Sequence, residues 1–401
     1  MKAMSLSTLK YFFFFSLFFF ILYLEKMSGT GSYAETASDS FAKLWKSALL
    51  FIMILYLINK HRLFKIPQHS KSFFLLSFKN LFNSKLMPVN DFPMTFKLIN
   101  LPILICFFHH FLRRRNAVLF LFVICQFYIL SYIPFLLGLI DGYYDKTYGE
   151  NTQTFVGIFQ NPHSAAVTMS ICVTFILFSL QHLKGKAFLF NRTYNYLLLT
   201  IGIYGLYASY ARMGWLMALI GFIIVFFPQK FQLKSIIRYF MLLFIGGIIA
   251  MVSIMNSDVL YRRLTDQDIV NGWERESNVG SGRLIYWQTS FEQYMESDFG
   301  GKLIGLGYSE IPNNQFKKNG LSILSHNGFL DILVSNGVVG LSLLIAHFIF
   351  VFLYIRSYRK TLYYPFLIAV YLSYIAYWIF QGTVYFSFDL LIALSLSLPK
   401  I

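Results

Sequence analysis

Apolar runs near 20 residues long recur through the chain, separated by short polar, basic stretches. The runs fall at about 8–24, 43–59, 96–112, 116–140, 163–182, 193–210, 212–228, 234–255, 329–355, 361–380 and 384–399. Continuous apolar stretches of this length predict membrane-spanning helices. A transmembrane β-barrel would show alternating segments of about 10 residues instead. One polar segment breaks the series, 256–328, and it ends at Ser325-His326-Asn327-Gly328-Phe329-Leu330-Asp331. The prediction is an all-α, polytopic integral membrane protein of about 11–12 transmembrane helices. It forms one membrane domain over 1–401 with one large outer loop at 256–328.

Loop charge orients the spans. Arg113-Arg114-Arg115, then Lys184, Lys186 and Arg192, then Lys230, Lys234 and Arg238, then Arg356, Arg359 and Lys360 fall in alternate loops. Positive loops stay cytoplasmic, which puts 141–162, the turn near 211 and 256–328 on the outer side. The acid distribution agrees: 256–328 holds nine of the 18 Asp and Glu against seven Lys and Arg. One stretch breaks the parity. Residues 60–95 carry Lys60, Arg62, Lys65, Lys71, Lys79 and Lys85 and read as cytoplasmic, yet the span at 96–112 has to start outside. An extra crossing within about 67–90, around Phe73-Phe74-Leu75-Leu76-Ser77-Phe78, repairs the count, although Lys79 sits inside it. Lys2 and Lys10 before Tyr11–Leu24 resemble a signal peptide; an uncleaved first span is the preferred reading.

Composition sharpens this picture. The mean hydropathy is +0.57, and 46 phenylalanines exceed what a soluble core of this size would hold. The net charge of +16, suggestive of nucleic acid in a soluble protein, is here carried by topology-setting loops, so no nucleic-acid partner is expected. Cys106, Cys125 and Cys172 all lie in apolar runs and read as small buried hydrophobes. No CxxC or other metal-ligand spacing occurs, and neither a metal nor a cofactor is expected. Asp266-Gln267-Asp268 could hold a divalent ion against a diphosphate, but in an acidic outer loop it reads as a solvated face. Gly305-Leu306-Gly307 is too short to cradle phosphate.

Three basic residues stand at the predicted outer boundary. Arg212 interrupts two apolar runs in Ser209-Tyr210-Ala211-Arg212, Arg283 follows Gly280-Ser281-Gly282, and His326 closes the loop. Two guanidinium groups match phosphate oxygens with a fixed fork and keep their charge. An imidazole exchanges a proton near neutral pH. Each also has a plain structural reading: a snorkelling arginine, a loop-surface arginine, and a histidine in a helix cap made by Ser325 or Asn327. Asp331 and Asp389 are the acids inside apolar runs. Such charges mark function or buried structure, and Asp331 also suits a helix start.

Four places resemble the O-antigen ligase/polymerase superfamily of bacterial envelope glycosyltransferases. They are Gly157-Ile158-Phe159-Gln160-Asn161-Pro162-His163 before a span, Ser209-Tyr210-Ala211-Arg212, Ser281-Gly282-Arg283…Trp287…Gly305-x-Gly307, and His326-Asn327-Gly328-Phe329-Leu330…Gly337-Val338-Val339-Gly340. The order agrees from about 96 to the end.

The resemblance implies transfer of an undecaprenyl-diphosphate-linked glycan at the outer, periplasmic face of the bacterial inner membrane. The acceptor is another glycan or lipid A-core, and membrane lipid is the other partner. It implies that Arg212 and Arg283 bind the diphosphate, with Asn161 and Asn327 also on the substrate, and that His326 is the catalytic base. A polymerase is the preferred reading and a ligase the alternative. A flippase of lipid-linked glycans is the alternative of another class; it lacks the internal repeat such proteins show.

Overall fold

A computed structural model describes residues 51–59, 66–82, 92–112, 117–137, 139, 144–145, 154–159, 162–183, 191–226, 283–382 and 385–398. The runs at 8–24 and 234–255, and the pair Asp266 and Asp268, lie outside them. Among the described residues the chain is helical, apart from a two-residue antiparallel ladder between β1 (Tyr144–Asp145) and β2 (Thr154–Phe155). Among the described residues three helices are long and apolar enough to cross a membrane: Ala117–Leu136, Pro162–His182 and Gly328–Ser357. The all-α membrane class therefore stands.

In chain order the helices are α1 (Gln68–Phe82), α2 (Phe92–Phe111), α3 (Ala117–Leu130), α4 (Ile133–Leu136), α5 (Pro162–His182), α6 (Arg192–Ala208) and α7 (Arg212–Phe226). Then follow α8 (Arg283–Glu296), α9 (Phe299–Ile304), α10 (Glu310–Asn319), α11 (Gly328–Ser357), α12 (Tyr364–Phe380) and α13 (Phe386–Ser395). The run predicted at 43–59 is helical over 51–59. The described part of the polar loop holds three short helices, α8 to α10.

The bundle is organised on α5, which is buried almost all round. An apolar helix with no polar face belongs inside a bundle. Close approach is set by small residues. A Cβ on Gly214 would lie 2.4 Å from that of Ala166, and one on Gly221 would lie 2.1 Å from the Thr174 hydroxyl. Small residues bring membrane helices together in this way. The pairs 214–166 and 221–174 advance in the same direction, so α5 and α7 run parallel. Phe178 meets Tyr363 (centroids 6.0 Å) and Phe175 meets Phe366 (5.2 Å), so α12 runs antiparallel to α5. Pro162, Arg212 and Phe380 consequently share one end of the bundle, called the loop end below.

A helix, α1, stands where the charge parity predicts an extra crossing. The His69 ring stacks on Tyr354 (4.1 Å), and the His69 carbonyl faces His347 Nδ1 at 3.2 Å. Lys79 reaches Asn336. Helix α1 thus runs antiparallel to α11 and arrives at the loop end. At about 22 Å it is short for a bilayer core.

Candidate functional site

The site begins with a break in α11. Gly337 adopts φ 64° and ψ −169°, which separates a nine-residue half-helix, 328–336, from the long wall that follows. A helix end exposes carbonyls that need donors. Here the Leu306 N–H donates to Val334 O (2.9 Å) and the Gly307 N–H to Ser335 O (3.1 Å). Lys79 Nζ donates to Asn336 O (2.7 Å) and Ile304 O (2.9 Å). A cation at a helix C-terminus also suits the dipole. The glycines are steric requirements: a Cβ on Gly305 would lie 2.2 Å from Ser335 O, and one on Gly337 would lie 2.4 Å from Leu303 O. The Gly305-Leu306-Gly307 segment is therefore a backbone dock, and Lys79 is the cation that completes it.

The other end of the half-helix carries His326. Asn327 is the N-cap, its Oδ1 accepting from the Phe329 and Leu330 N–H groups (both 3.1 Å). Asp331 reaches back one turn. Its Oδ1 accepts from the Ser325 hydroxyl (2.6 Å) and the Ser325 N–H (3.1 Å), and all of these groups are buried. The Ser325 oxygen in turn accepts from the Asn327 N–H (3.1 Å). His326, held between two fastened neighbours, has φ 58°. That left-handed conformation is unfavourable for a residue with a side chain and persists where its surroundings impose it, commonly at functional sites. Tyr210, two residues before Arg212, is the other non-glycine at positive φ (50°) among the described residues. The two strained positions adjoin two of the predicted site residues.

Arg283 and His326 are brought together by the end of α12. Arg283 is the first residue of α8, and its Nη1 donates to Phe380 O (2.8 Å). Two residues on, Gly382 (φ 64°) lies against the start of α11, where a Cβ on it would come within 2.4 Å of Gly328 N. A Cβ on Gly328 would strike Trp378 at 2.4 Å, so this position of the His-Asn-Gly run excludes any side chain. Burial, and then the charge of Arg283, pull the His326 pKa down to about 4. The ring is neutral at neutral pH, and its enclosed Nδ1 has no hydrogen-bond partner. Trp287, one turn along α8, lies over Phe380 (6.5 Å, 35°) with its Nε1 also unpartnered.

Arg212 opens α7 at the same loop end, half-buried. The turn before it is closed by Ser209, whose hydroxyl donates to Leu206 O (2.7 Å) and accepts from the Ala211 N–H (3.4 Å). Trp215 Nε1 also donates to Leu206 O (2.8 Å). Arg212, Arg283 and His326 therefore share one end of the bundle, and Arg283 and His326 interact there. Asn161 lies outside the described residues; Gly157 nearby is at φ 59° against the Tyr132 ring. Asp331 is structural in what it touches. Asp389 is buried in α13 beside Tyr374 and Tyr377. Among the described residues no group of His, Cys, Asp or Glu is arranged to hold a metal.

These features define a helical membrane protein with a cationic, histidine-bearing site at one end of its bundle. Residues 197–345 match the family model described as O-antigen ligase, which supports the resemblance to the O-antigen ligase/polymerase superfamily. The matched stretch contains Arg212, Arg283, His326 and Asn327. No curated protein matches the chain.

Sequence reasoning missed three parts of this site. The Phe380 carbonyl and Gly382 lie in a stretch that reads only as the end of an apolar run. Lys79 read as a blemish in a weak helix. A lysine followed far downstream by glycine-rich segments carries no signal that they meet.

Proposed function

We propose that the protein is a glycosyltransferase that uses an undecaprenyl-diphosphate-linked glycan as donor and polymerises such repeats into surface polysaccharide. The observation that carries the reading is the neutral, strained His326 beside Arg283 at the bundle's loop end. The acceptor hydroxyl oxygen attacks the anomeric carbon of the donor sugar. The bond from that carbon to the diphosphate oxygen breaks, and its electron pair leaves on the diphosphate. His326 takes the hydroxyl proton as the new bond forms. Arg212 and Arg283 hold the diphosphate and stabilise the charge it gains. A guanidinium has five N–H donors in a fixed fork, and the bond to Phe380 O fixes the orientation of that fork in Arg283. Asn161 and Asn327 border the substrate, Asn327 chiefly by setting the cap that carries His326. The site lies on the outer, periplasmic face of the inner membrane, where a polyprenyl chain stays in lipid while its diphosphate meets the arginines.

A second reading follows from the description of the matched family: a ligase that passes the glycan to lipid A-core. A deletion strain separates the two on a gel of surface glycan. Single repeats left on the core mean a polymerase, and loss of all repeats with lipid-linked polymer accumulating means a ligase. Lipid-linked repeats trapped on the cytoplasmic side would overturn both in favour of a transporter.

A further inference from the structure

The loop helix α8 has its polarity reversed. The side chains it buries are Tyr286 and the small polar Thr289 and Ser290. Thr289 and Ser290 are buried, and the buried Gln315 donates its Nε2 to Ser290 Oγ (3.0 Å) and to Tyr286 O (2.8 Å). Asn319 Nδ2 donates to Thr289 Oγ1 (3.1 Å). The side chains it turns outward include Gln288 and Glu296 but also large apolar ones: Leu284, Phe291 and Met295 are 58, 51 and 52% exposed. Those positions, seven and four residues apart, form one stripe on a helix. Helix α9 extends the stripe with Phe299, 81% exposed, and with Leu303 and Ile304. A helix facing water on that side would show the opposite arrangement, and a contiguous exposed apolar patch calls for a covering partner.

The patch is continuous with the bundle wall. The dock of 303–307 on the α11 break sets Leu303 and Ile304 beside the exposed Val338 and Val339. The exposed row on α11 then runs on through Ile345, Ile349 and Leu353, on a helix long and apolar enough to cross a membrane. The flanks of the stripe differ in kind. Glu292 and Glu296 pair with Lys318 (3.1 and 3.8 Å) on one side, while Trp287 and Tyr294 stand on the other. Charge on one flank and amphipathic aromatics on the other suit a helix lying in the headgroup layer.

We propose that α8 and α9 lie in the plane of the bilayer surface, with Leu284, Phe291, Met295 and Phe299 among the acyl chains. Arg283, the first residue of α8, is thereby held at the depth where a lipid-linked phosphate sits. The inference rests on α11 facing lipid, not on glycan transfer.

The test uses nitroxide labels on Phe291→Cys and Met295→Cys in the full chain, in vesicles of phosphatidylethanolamine and phosphatidylglycerol. The three native cysteines are buried and do not compete for label. Collision rates with oxygen, which partitions into lipid, are compared with those of a water-soluble nickel chelate. Ile349→Cys on the wall and Lys317→Cys on α10 serve as references. Both α8 labels are expected to share the preference of position 349 for oxygen, several-fold above position 317. If 349 reads as lipid while 291 and 295 read as water, the proposal is overturned and the wall stands. If 349 also reads as water, the wall fails and the proposal with it. Dipolar broadening between labels at 291 would overturn it in favour of a second copy covering the patch.

Discussion

Asp331 holds Ser325 by two hydrogen bonds to a single oxygen, from the Ser325 hydroxyl at 2.6 Å and from its N–H at 3.1 Å. His326 is the next residue and lies at φ 58°. The Asp331 side chain thus constrains the histidine backbone through its neighbour.

Asp331→Asn should lower kcat about tenfold, equivalent to about 1.4 kcal/mol, while leaving the KM for donor within a factor of about two. A buried hydrogen bond contributes about 0.5–1.5 kcal/mol net, so thermal stability should fall as well. Ser325→Ala should behave like Asp331→Asn, and Ser325→Thr, which keeps the hydroxyl, should recover most of the rate. Steady-state kinetics in detergent with a lipid-linked donor checks this. Unchanged kcat in both Ser325→Ala and Asp331→Asn would separate the clamp from catalysis.

The pH dependence follows from the burial of His326 and the charge of Arg283, which lower its pKa to about 4. A lowered pKa favours the neutral ring, the form that accepts a proton. The acid limb of kcat/KM, which reports the free enzyme, should therefore lie near pH 4 rather than near the ordinary 6.5. A bound diphosphate offsets the charge of Arg283 and raises the pKa, so the acid limb of kcat should lie higher. The same shift makes the folded state bind fewer protons than the unfolded one. Its contribution lowers stability as pH falls from about 6.5 to about 4. Rate profiles over that range decide it; a kcat/KM limb at 6.5 would mean a solvated ring.

Arg212→Lys and Arg283→Lys should each cut activity more than a retained charge would suggest. A single ammonium cannot reproduce a bidentate fork. Arg283→Lys should be the worse, since it also gives up the geometry that ties α8 to Phe380 O. Transfer rates of the two variants check this, and a wild-type rate for Arg212→Lys would return Arg212 to a snorkelling role.

Lys79→Met leaves Asn336 O and Ile304 O without this donor. Asn336 is buried, and an unsatisfied buried polar group costs about 1–3 kcal/mol, so a drop in melting temperature is expected. Gly305→Ala should be more damaging, because its Cβ would meet the backbone at Ser335 and its φ is 93°. Thermal melts of the purified variants measure both, and wild-type melts would remove the dock from the fold.

The helices were legible because lipid imposes a long, continuous apolar period that needs no partner to be recognised. Loop charge called for a crossing near 67–90, and the helix α1 stands there. His326, Arg283 and Arg212 stood out as ionisable groups at apolar boundaries. What joins them was not legible. The Phe380 carbonyl is a backbone atom with no residue type to mark it, and Gly382 meets Gly328 over 54 residues of chain. Asn327 could be read as a cap or as a substrate contact, and its Oδ1 serves the cap. Lys79 looked like a reason to doubt a helix, yet its charge is used at the end of another one. The outward apolar face of α8 was hidden because Gln288, Glu292 and Glu296 interrupt it in sequence, and only the packing against Gln315 shows which side faces out.

The most direct measurement is transfer from a purified undecaprenyl-diphosphate-linked glycan by His326→Ala in vesicles, beside wild type and with donor binding measured on the same preparation. The expected result is a transfer rate lower by about a thousandfold, within the range for loss of a general base, with donor still bound. Transfer at the wild-type rate by correctly inserted His326→Ala protein would contradict the central role given to this histidine.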